Sequence, residues 1–347
     1  MNEKMMDAVM FYAPLDIRFE KVEIPEPKEG EVLVKIKAAL TCGTDLKTYR
    51  RGHPVLIKKV PSGFGHEFSG VIEKLGKNAK GFEAGERVVA ANSAPCGDCF
   101  FCKKGEYNLC EKLEFLNGAY SQYIIVPKRI AEKNLYKIPD EVSFEEAAFV
   151  EPLSNVIHGV EKAGIKKGMS VGIIGMGPIG LMFAKVAKLM GARVIVSARN
   201  QMKLKLAKDF SNADKAIDST KDDYIKAFVD FSDEKMGLDV AVDCVGLPEI
   251  WEQLSKTVRK GGTVMLFGGC KSGTTVTFDT KRLHYDEVKL VSAFHHTPKY
   301  IKAALDMISN GKIDVKQLIT CEMPLSKTKE ALEMQGSSKA IKIVLKP

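Results

Sequence analysis

Four cysteines fall within a single short stretch, Cys96-x2-Cys99-x2-Cys102-x7-Cys110. Thiolates are soft ligands, and four at this spacing suit a tetrahedral Zn²⁺ with no open position. Gly97, Asp98 and Gly105 lie between them and permit the turns. A closed all-thiolate site does no chemistry itself, so its expected role is structural. A redox-active thiol cluster and an iron–sulfur cluster are the competing readings, and metal analysis separates them. A second set of ligand-type residues is dispersed: Cys42 in Thr41-Cys42-Gly43-Thr44-Asp45, His66-Glu67 in Gly65-His66-Glu67-Phe68, and Glu151 in Val150-Glu151-Pro152. A catalytic zinc needs three protein ligands and a free position for water or substrate. By spacing alone this set is a weak signal, because a His beside a Glu is more often structural. Neighbours on a regular strand also point to opposite faces, so His66 and Glu67 reach one metal only where the backbone is irregular.

A third pattern is a phosphate cradle. Val171–Ile174 is an apolar run, followed by Gly175-Met176-Gly177-Pro178-Ile179-Gly180 and then a helical pattern with Ile179, Met182, Phe183, Val186, Leu189 and Met190 on one face. Strand, G-x-G-x-x-G turn and helix in this order form a dinucleotide fingerprint. Gly175 makes the tight turn, Gly177 lets the backbone approach a pyrophosphate, and Gly180 lets the helix pack close, with its N-terminal N–H groups facing the phosphates. The next strand runs into Ser197-Ala198-Arg199-Asn200. An NAD site usually carries Asp or Glu here for the ribose hydroxyls. Ala198 and Arg199 replace it, with Lys203 and Lys205 one turn on. A guanidinium can hold a ribose 2′-phosphate bidentately where a carboxylate would repel it. NADP is therefore the expected cofactor. The alternative is NAD bound without an acidic partner, beside a merely superficial Arg199.

These groups need two kinds of scaffold. Residues 8–130 read as short strands, among them Val32–Lys37, Val71–Leu75 and Val88–Ala91, punctuated by glycine and proline, which suggests a β-barrel or sandwich. Ser143-Phe144-Glu145-Glu146 has the form of a capping box. From Ser170 the texture alternates: strand Val171–Ile174, helix Ile179–Met190, strand Val194–Val196, helix Met202–Phe210, strand Val240–Cys244, helix Glu249–Val258 and strand Val264–Phe267. That alternation predicts a parallel sheet with crossover helices. A strand Lys289–Phe294, a helix Lys299–Asn310 and a terminal strand Ile341–Leu345 follow, and could return to the first domain.

The bulk numbers narrow the class. The 347 residues call for two domains. With 45% hydrophobic and 28% charged residues the chain reads as globular, and no apolar run reaches membrane-spanning length. The start, Met1-Asn2-Glu3-Lys4-Met5, has no apolar signal region, so a cytoplasmic location is expected. The net charge of +8, spread over scattered lysines and accompanied by one tryptophan, argues against a nucleic-acid-binding zinc-loop protein, the non-enzymatic alternative.

Cys42-Gly43-Thr44-Asp45, Gly65-His66-Glu67-Phe68-Ser69-Gly70, the four-cysteine loop, Glu151-Pro152-Leu153-Ser154 and the G-x-G-P-I-G turn occur in the order of the zinc-dependent medium-chain dehydrogenases. The chain resembles their sorbitol (polyol) and threonine dehydrogenase branch over essentially its whole length. The resemblance implies an α/β architecture: a GroES-like β-barrel catalytic domain, residues 1–152 and 293–347, and a doubly wound Rossmann domain, residues 153–292. It implies two zinc ions per chain. The catalytic one maps onto Cys42, His66 and Glu67, with Glu151 as an alternate ligand or a partner of bound water. The alcohol dehydrogenase branch has Cys where Glu151 stands, which favours the polyol-like branch. Thr44 matches the Ser/Thr that bonds the substrate oxygen and starts a proton relay; the alternative is a hydroxyl capping a helix at Asp45–Tyr49. Lys47 stands where relatives often carry His, and counts as a catalytic candidate. Val245, Gly246, Gly268, Gly269, Phe294 and His295 join the glycine turn and Ser197 as candidate cofactor residues. Phe294-His295-His296 replaces an Arg-Tyr pair common in polyol dehydrogenases; its histidines either line the pocket or solvate a loop. The implied reaction is hydride transfer between NADP(H) and a secondary alcohol or ketone, in a homodimer or homotetramer. An NAD-dependent threonine-type dehydrogenase and a zinc-independent quinone-reductase-like enzyme of the same fold are the alternatives.

Overall fold

The computed structural model describes residues 5–347; Met1–Lys4, on which part of the reading of the N-terminus rests, lie outside the described residues. The chain forms two units, one of residues up to Ser154 together with His296–Pro347, the other Asn155–His295.

In the first unit, strands of alternating burial pair mostly antiparallel. A seven-stranded sheet runs in the order Leu135–Lys137, Arg87–Ala90, Phe68–Leu75, Val32–Leu40, Lys342–Lys346 and Ile319–Pro324, with Tyr123–Val126 also on Val32–Leu40. The C-terminal strand therefore completes a sheet begun near the N-terminus, pairing antiparallel with Ala39–Leu40 and parallel with Ile319–Pro324. A three-stranded sheet of Asp16–Glu23, Met5–Ala13 and Ser62–Gly63 stands beside it. The core between them buries Val9, Phe11, Val34, Phe64, Phe68, Ile72 and Tyr120. The capping box is present: the Ser143 hydroxyl accepts from the Glu146 amide while the Glu146 carboxylate accepts from the Ser143 amide.

The second unit carries six parallel strands in the order Lys215–Asp218, Arg193–Ala198, Ser170–Ile174, Leu238–Asp243, Val258–Leu266 and Lys289–Ser292. Winding starts at Ser170–Ile174, proceeds to one side, then crosses to the other. The switch in direction thus falls at the C-terminal end of Ser170–Ile174, where such sheets bind ligands. Three extents differ from expectation. The helix expected over Glu249–Val258 spans only Pro248–Leu254. Ser255 and Thr257 hydroxyls bond back to Glu252 and Leu254 carbonyls and end it, and Val258 already opens the next strand. The strand expected to reach Phe294 stops at Ser292. Leu189 and Met190, placed on the apolar helix face, are exposed in its last turn, whereas Met182, Phe183 and Val186 are buried. No helix of the described residues is long and apolar enough to cross a membrane.

Candidate active site and cofactor site

Helix Gly43–Arg51 starts at Cys42, whose sulfur accepts from the Thr44 amide at 3.4 Å. The cap is therefore the Cys42 thiol and not the Thr44 hydroxyl, which leaves that hydroxyl half-buried in the first turn. His66 and Glu67 lie in residues 64–67, between strands, just after Gly65 at φ +88°. The backbone is irregular there, and the two adjacent side chains converge. A Cβ at Gly65 would lie 2.5 Å from the Tyr120 ring, so only glycine fits this bend. The ligand atoms of Cys42, His66 and Glu67 all lie within 4.8 Å of one another.

The surroundings fit a cation. Asp45, one turn into the same helix, accepts from His66 Nδ1 at 2.8 Å and from the Tyr120 hydroxyl at 2.5 Å. That orients the ring and turns His66 Nε2 towards the Cys42 sulfur. Burial opposes charge on His66, yet the Asp45 carboxylate and the Cys42 sulfur hold its pKa well above the usual range. A proton and a metal compete for the same lone pair, so this proton affinity marks a pocket that favours positive charge. Burial, and then Glu67, push the Cys42 thiol up. Glu67 Oε2 meets the buried ammonium of Lys342, while Glu67 Oε1 is buried without a hydrogen-bond partner, aimed among potential ligands. Lys342 is 2% exposed, and its pKa is raised because Glu67 outweighs burial. Removing one partner of a buried pair leaves an uncompensated charge. Lys342→Met is therefore expected to cost about 3–5 kcal/mol, read as a lowered midpoint of denaturant unfolding, with Lys342→Arg milder.

Glu151 stands outside this triad. It is buried in the first turn of helix Val150–Ala163, 3.9 Å from His296 Nε2. His296 is itself buried, 2.9 Å from Asn92 Oδ1, so it does not solvate a loop. Lys47 is exposed on the face of the helix that also carries Thr44. Asp45, Tyr120 and Lys342 were not anticipated from the sequence.

In the cysteine loop, all four thiols are free. Sulfur–sulfur distances are 3.5 Å for Cys96–Cys110, 3.9 Å for Cys96–Cys102 and 3.9 Å for Cys99–Cys110. A disulfide needs about 2.05 Å, whereas a tetrahedron with metal–sulfur bonds of about 2.3 Å has edges of about 3.8 Å. Gly97 and Gly105 take the positive-φ turns expected of them. The Cys102 amide brings Cys99 down to about 6, while burial pushes Cys102 up to about 12. Cys102→Ala is expected to lose one zinc equivalent per chain by metal analysis and to lower the thermal midpoint.

In the second unit, Gly175 takes φ +94° and its amide donates to the Ser197 carbonyl at 3.1 Å. A Cβ at Gly180 would lie 2.0 Å from the Gly175 carbonyl, so close packing of helix on turn requires glycine. Pro178 and Ile179 open helix Pro178–Leu189, and Gly177 is its N-cap, with no side chain occupying the first-turn N–H groups. Ala198 ends its strand, buried, and Arg199 projects exposed. Burial and the neighbouring Arg199 charge lower the Lys203 pKa, so two cations already repel each other here. Lys205 turns to Asp209 instead. Val245 and Gly246 follow strand Leu238–Asp243, and Gly268 and Gly269 follow Val258–Leu266. Phe294 is exposed, and His295, at φ +61°, accepts through its carbonyl from His158 Nδ1 at 2.7 Å.

Residues 28–140 match the alcohol dehydrogenase GroES-like domain and residues 178–310 the zinc-binding dehydrogenase family. Sorbitol dehydrogenase of Bacillus subtilis is 30% identical over 99% of this chain and 97% of its own length. D-arabinitol dehydrogenase 1 of Uromyces fabae is 31% identical over 99% and 97%. Among solved structures, a zinc-binding dehydrogenase from Sinorhizobium meliloti 1021 bound to NADP superposes with TM-score 0.91 at 29% identity, covering 99% of this chain and 100% of that one. An alcohol dehydrogenase from E. coli CFT073 complexed with NADH gives 0.89 at 27%, covering 99% and 100%. With a GroES-like domain, a Rossmann sheet and full-length similarity to polyol dehydrogenases, the chain belongs to the zinc-dependent medium-chain dehydrogenases, in their sorbitol-dehydrogenase-like branch.

Proposed function

We propose that this enzyme exchanges hydride between NADP(H) and the secondary alcohol or ketone of a polyol-like substrate. The observation that carries the reading is the convergence of Cys42, His66 and Glu67 within 4.8 Å in a buried pocket that favours positive charge. Residues 1–152 and 293–347 would be the catalytic part and 153–292 the dinucleotide-binding part. When bound, a zinc ion supplies Lewis acidity at a carbinol or carbonyl oxygen, and the nicotinamide ring supplies or takes the hydride.

The chain's own residues orient and carry protons. Cys42, His66 and Glu67 would hold the metal, with Glu151 as an alternate ligand or a partner of bound water. Asp45 fixes His66 so that Nε2 stays available. Thr44, half-buried, would hydrogen-bond the substrate oxygen and start the relay that carries its proton away, and exposed Lys47, one helical turn on, is a further candidate for the catalytic machinery. The cysteine loop would hold a second, structural zinc. Gly175, Gly177, Pro178, Ile179 and Gly180 would seat the pyrophosphate; Ser197, Ala198, Arg199 and Lys203 the adenosine ribose and its 2′-phosphate; Val245, Gly246, Gly268, Gly269, Phe294 and His295 the remainder. The relatives' names, sorbitol and D-arabinitol dehydrogenase, support a substrate with several hydroxyls. The enzyme would work in the cytoplasm as a homodimer or homotetramer. A screen of polyols, simple secondary alcohols, amino alcohols and the matching ketones, each with both cofactors, tests this reading. The highest kcat/KM is expected for a polyol–ketose pair, and a clear preference for an amino alcohol such as threonine would overturn the substrate class.

A further inference from the structure

Asp243 ends the strand Leu238–Asp243 fully buried, and among the described residues no cation pairs with it. Its carboxylate is held by N–H groups instead. Oδ1 accepts from the Val245 amide at 2.8 Å; Oδ2 accepts from the Gly246 amide at 3.0 Å and from the Trp251 indole Nε1 at 2.9 Å. Its backbone carbonyl accepts from the Gly268 amide at 2.9 Å. The surrounding loops leave no spare room. A Cβ at Gly268 would lie 2.4 Å from the Gly246 nitrogen and 2.6 Å from Asp243 Oδ2; one at Gly246 would lie 2.5 Å from the Gly269 carbonyl; one at Gly175 would lie 2.7 Å from Val245. Three glycine-bearing loops, at the C-terminal ends of three neighbouring strands, are thus stacked around one carboxylate.

A dinucleotide straddles the switch point of such a sheet. Arg199 follows the strand on one side of Ser170–Ile174, and Asp243 ends the strand on the other. With the adenosine half over Arg199, the nicotinamide half must lie over the loops that Asp243 gathers. We propose that Asp243 is a positioning residue for the nicotinamide half of the cofactor, and that Trp251, the chain's one tryptophan, reports its state through the shared carboxylate oxygen. The proposal rests on reading Gly175–Gly180 as the pyrophosphate turn. An indole hydrogen-bonded to the same oxygen as the Gly246 amide changes its surroundings whenever that loop moves.

The test compares the full-length wild type with Asp243→Asn and Trp251→Phe. The probes are the tighter-binding of NADPH and NADH and its adenosine half, 2′,5′-ADP or 5′-AMP. An Asn places an N–H against N–H groups that now meet an acceptor, so a buried pairing is lost. Asp243→Asn is expected to weaken dinucleotide binding about tenfold or more, to leave the adenosine half within about threefold, and to reduce the change in Trp251 emission on dinucleotide binding. Trp251→Phe keeps the amide contacts and is expected to weaken binding less than Asp243→Asn. Unchanged dinucleotide affinity in Asp243→Asn overturns the proposal, and so does an equal loss of both probes, which would mark a role in the whole unit. If Asp243→Asn does not fold, Gly246→Ala presses the same loop from the other side, and the same pair of affinities decides. A wild type that binds neither probe sinks the pyrophosphate-turn reading, and this proposal with it.

Discussion

Cys42→Ala and His66→Ala are each expected to lower kcat by on the order of a thousandfold or more, while NADPH still binds with an affinity within about threefold of wild type. The magnitude follows from chemistry: a Lewis acid at the reacting oxygen contributes several kcal/mol to the transition state, and each 1.36 kcal/mol is a factor of about ten. The selectivity follows from the chain's organisation. Cys42 and His66 belong to the first unit, whereas the glycine turn and Arg199 belong to the second. Steady-state kinetics paired with NADPH fluorescence titration checks both halves. Turnover retained in either variant would contradict the metal role. Loss of NADPH binding together with turnover would point to misfolding, which a urea unfolding curve identifies. Asp45→Asn offers a graded companion. It keeps the ring buried but removes the charge that orients it, so a weaker metal affinity with intact cofactor binding is expected, and outer-shell losses of this kind are about ten- to a hundredfold.

Arg199→Ala is expected to lower kcat/KM with NADPH by about ten- to a hundredfold, the worth of a charge-assisted hydrogen bond to phosphate, while kcat/KM with NADH changes little. Ala198 is buried and has no carboxylate to offer a ribose hydroxyl, while Arg199 and Lys203 stand close enough to repel each other. A 2′-phosphate would relieve the repulsion between those cations. Ala198→Asp combined with Arg199→Ala should reverse the preference. The ratio of catalytic efficiencies with the two cofactors measures this directly, and a wild-type preference for NADH would overturn the assignment. The solved relatives include one bound to NADP and one with NADH, so the family leaves the choice open and the local residues must decide it.

Sequence-local features were legible. The strand–turn–helix at Ser170–Leu189 lies in one continuous stretch, where each glycine answers a steric demand of its immediate neighbours. The cysteine loop is equally local, and its spacing places four thiols together, as the structure shows. Strands such as Phe68–Leu75 and Arg193–Ala198 announced themselves through apolar content, though their ends extended past the apolar residues. The edge strand Lys215–Asp218 and helix Tyr224–Phe231 were missed, because a four-residue strand flanked by charges has no clear periodicity. The support of the proposed metal site was illegible for a different reason. His66 is oriented by Asp45, Asp45 by Tyr120, and Glu67 is neutralised by Lys342, across separations of 21, 75 and 275 residues. Only folding brings these partners together. One hint existed: Lys342 interrupts the apolar run Ile341-Lys342-Ile343-Val344-Leu345, and a lysine within a buried strand requires an acidic partner. Asp243 likewise looked like an ordinary strand end, and its meaning rests on N–H groups of Val245, Gly246, Trp251 and Gly268, which the sequence keeps apart.

Metal-dependent turnover is the most direct test of the whole account. The purified enzyme would be stripped of metal with a chelator, assayed with NADPH and its best ketone, and then titrated with Zn²⁺ while bound metal is counted. Activity should vanish with the metal and return in proportion to zinc bound at the Cys42–His66–Glu67 site, with the Cys42→Ala protein unresponsive. Full activity in the stripped protein would show that hydride transfer here needs no metal, and the reading of this site would be wrong.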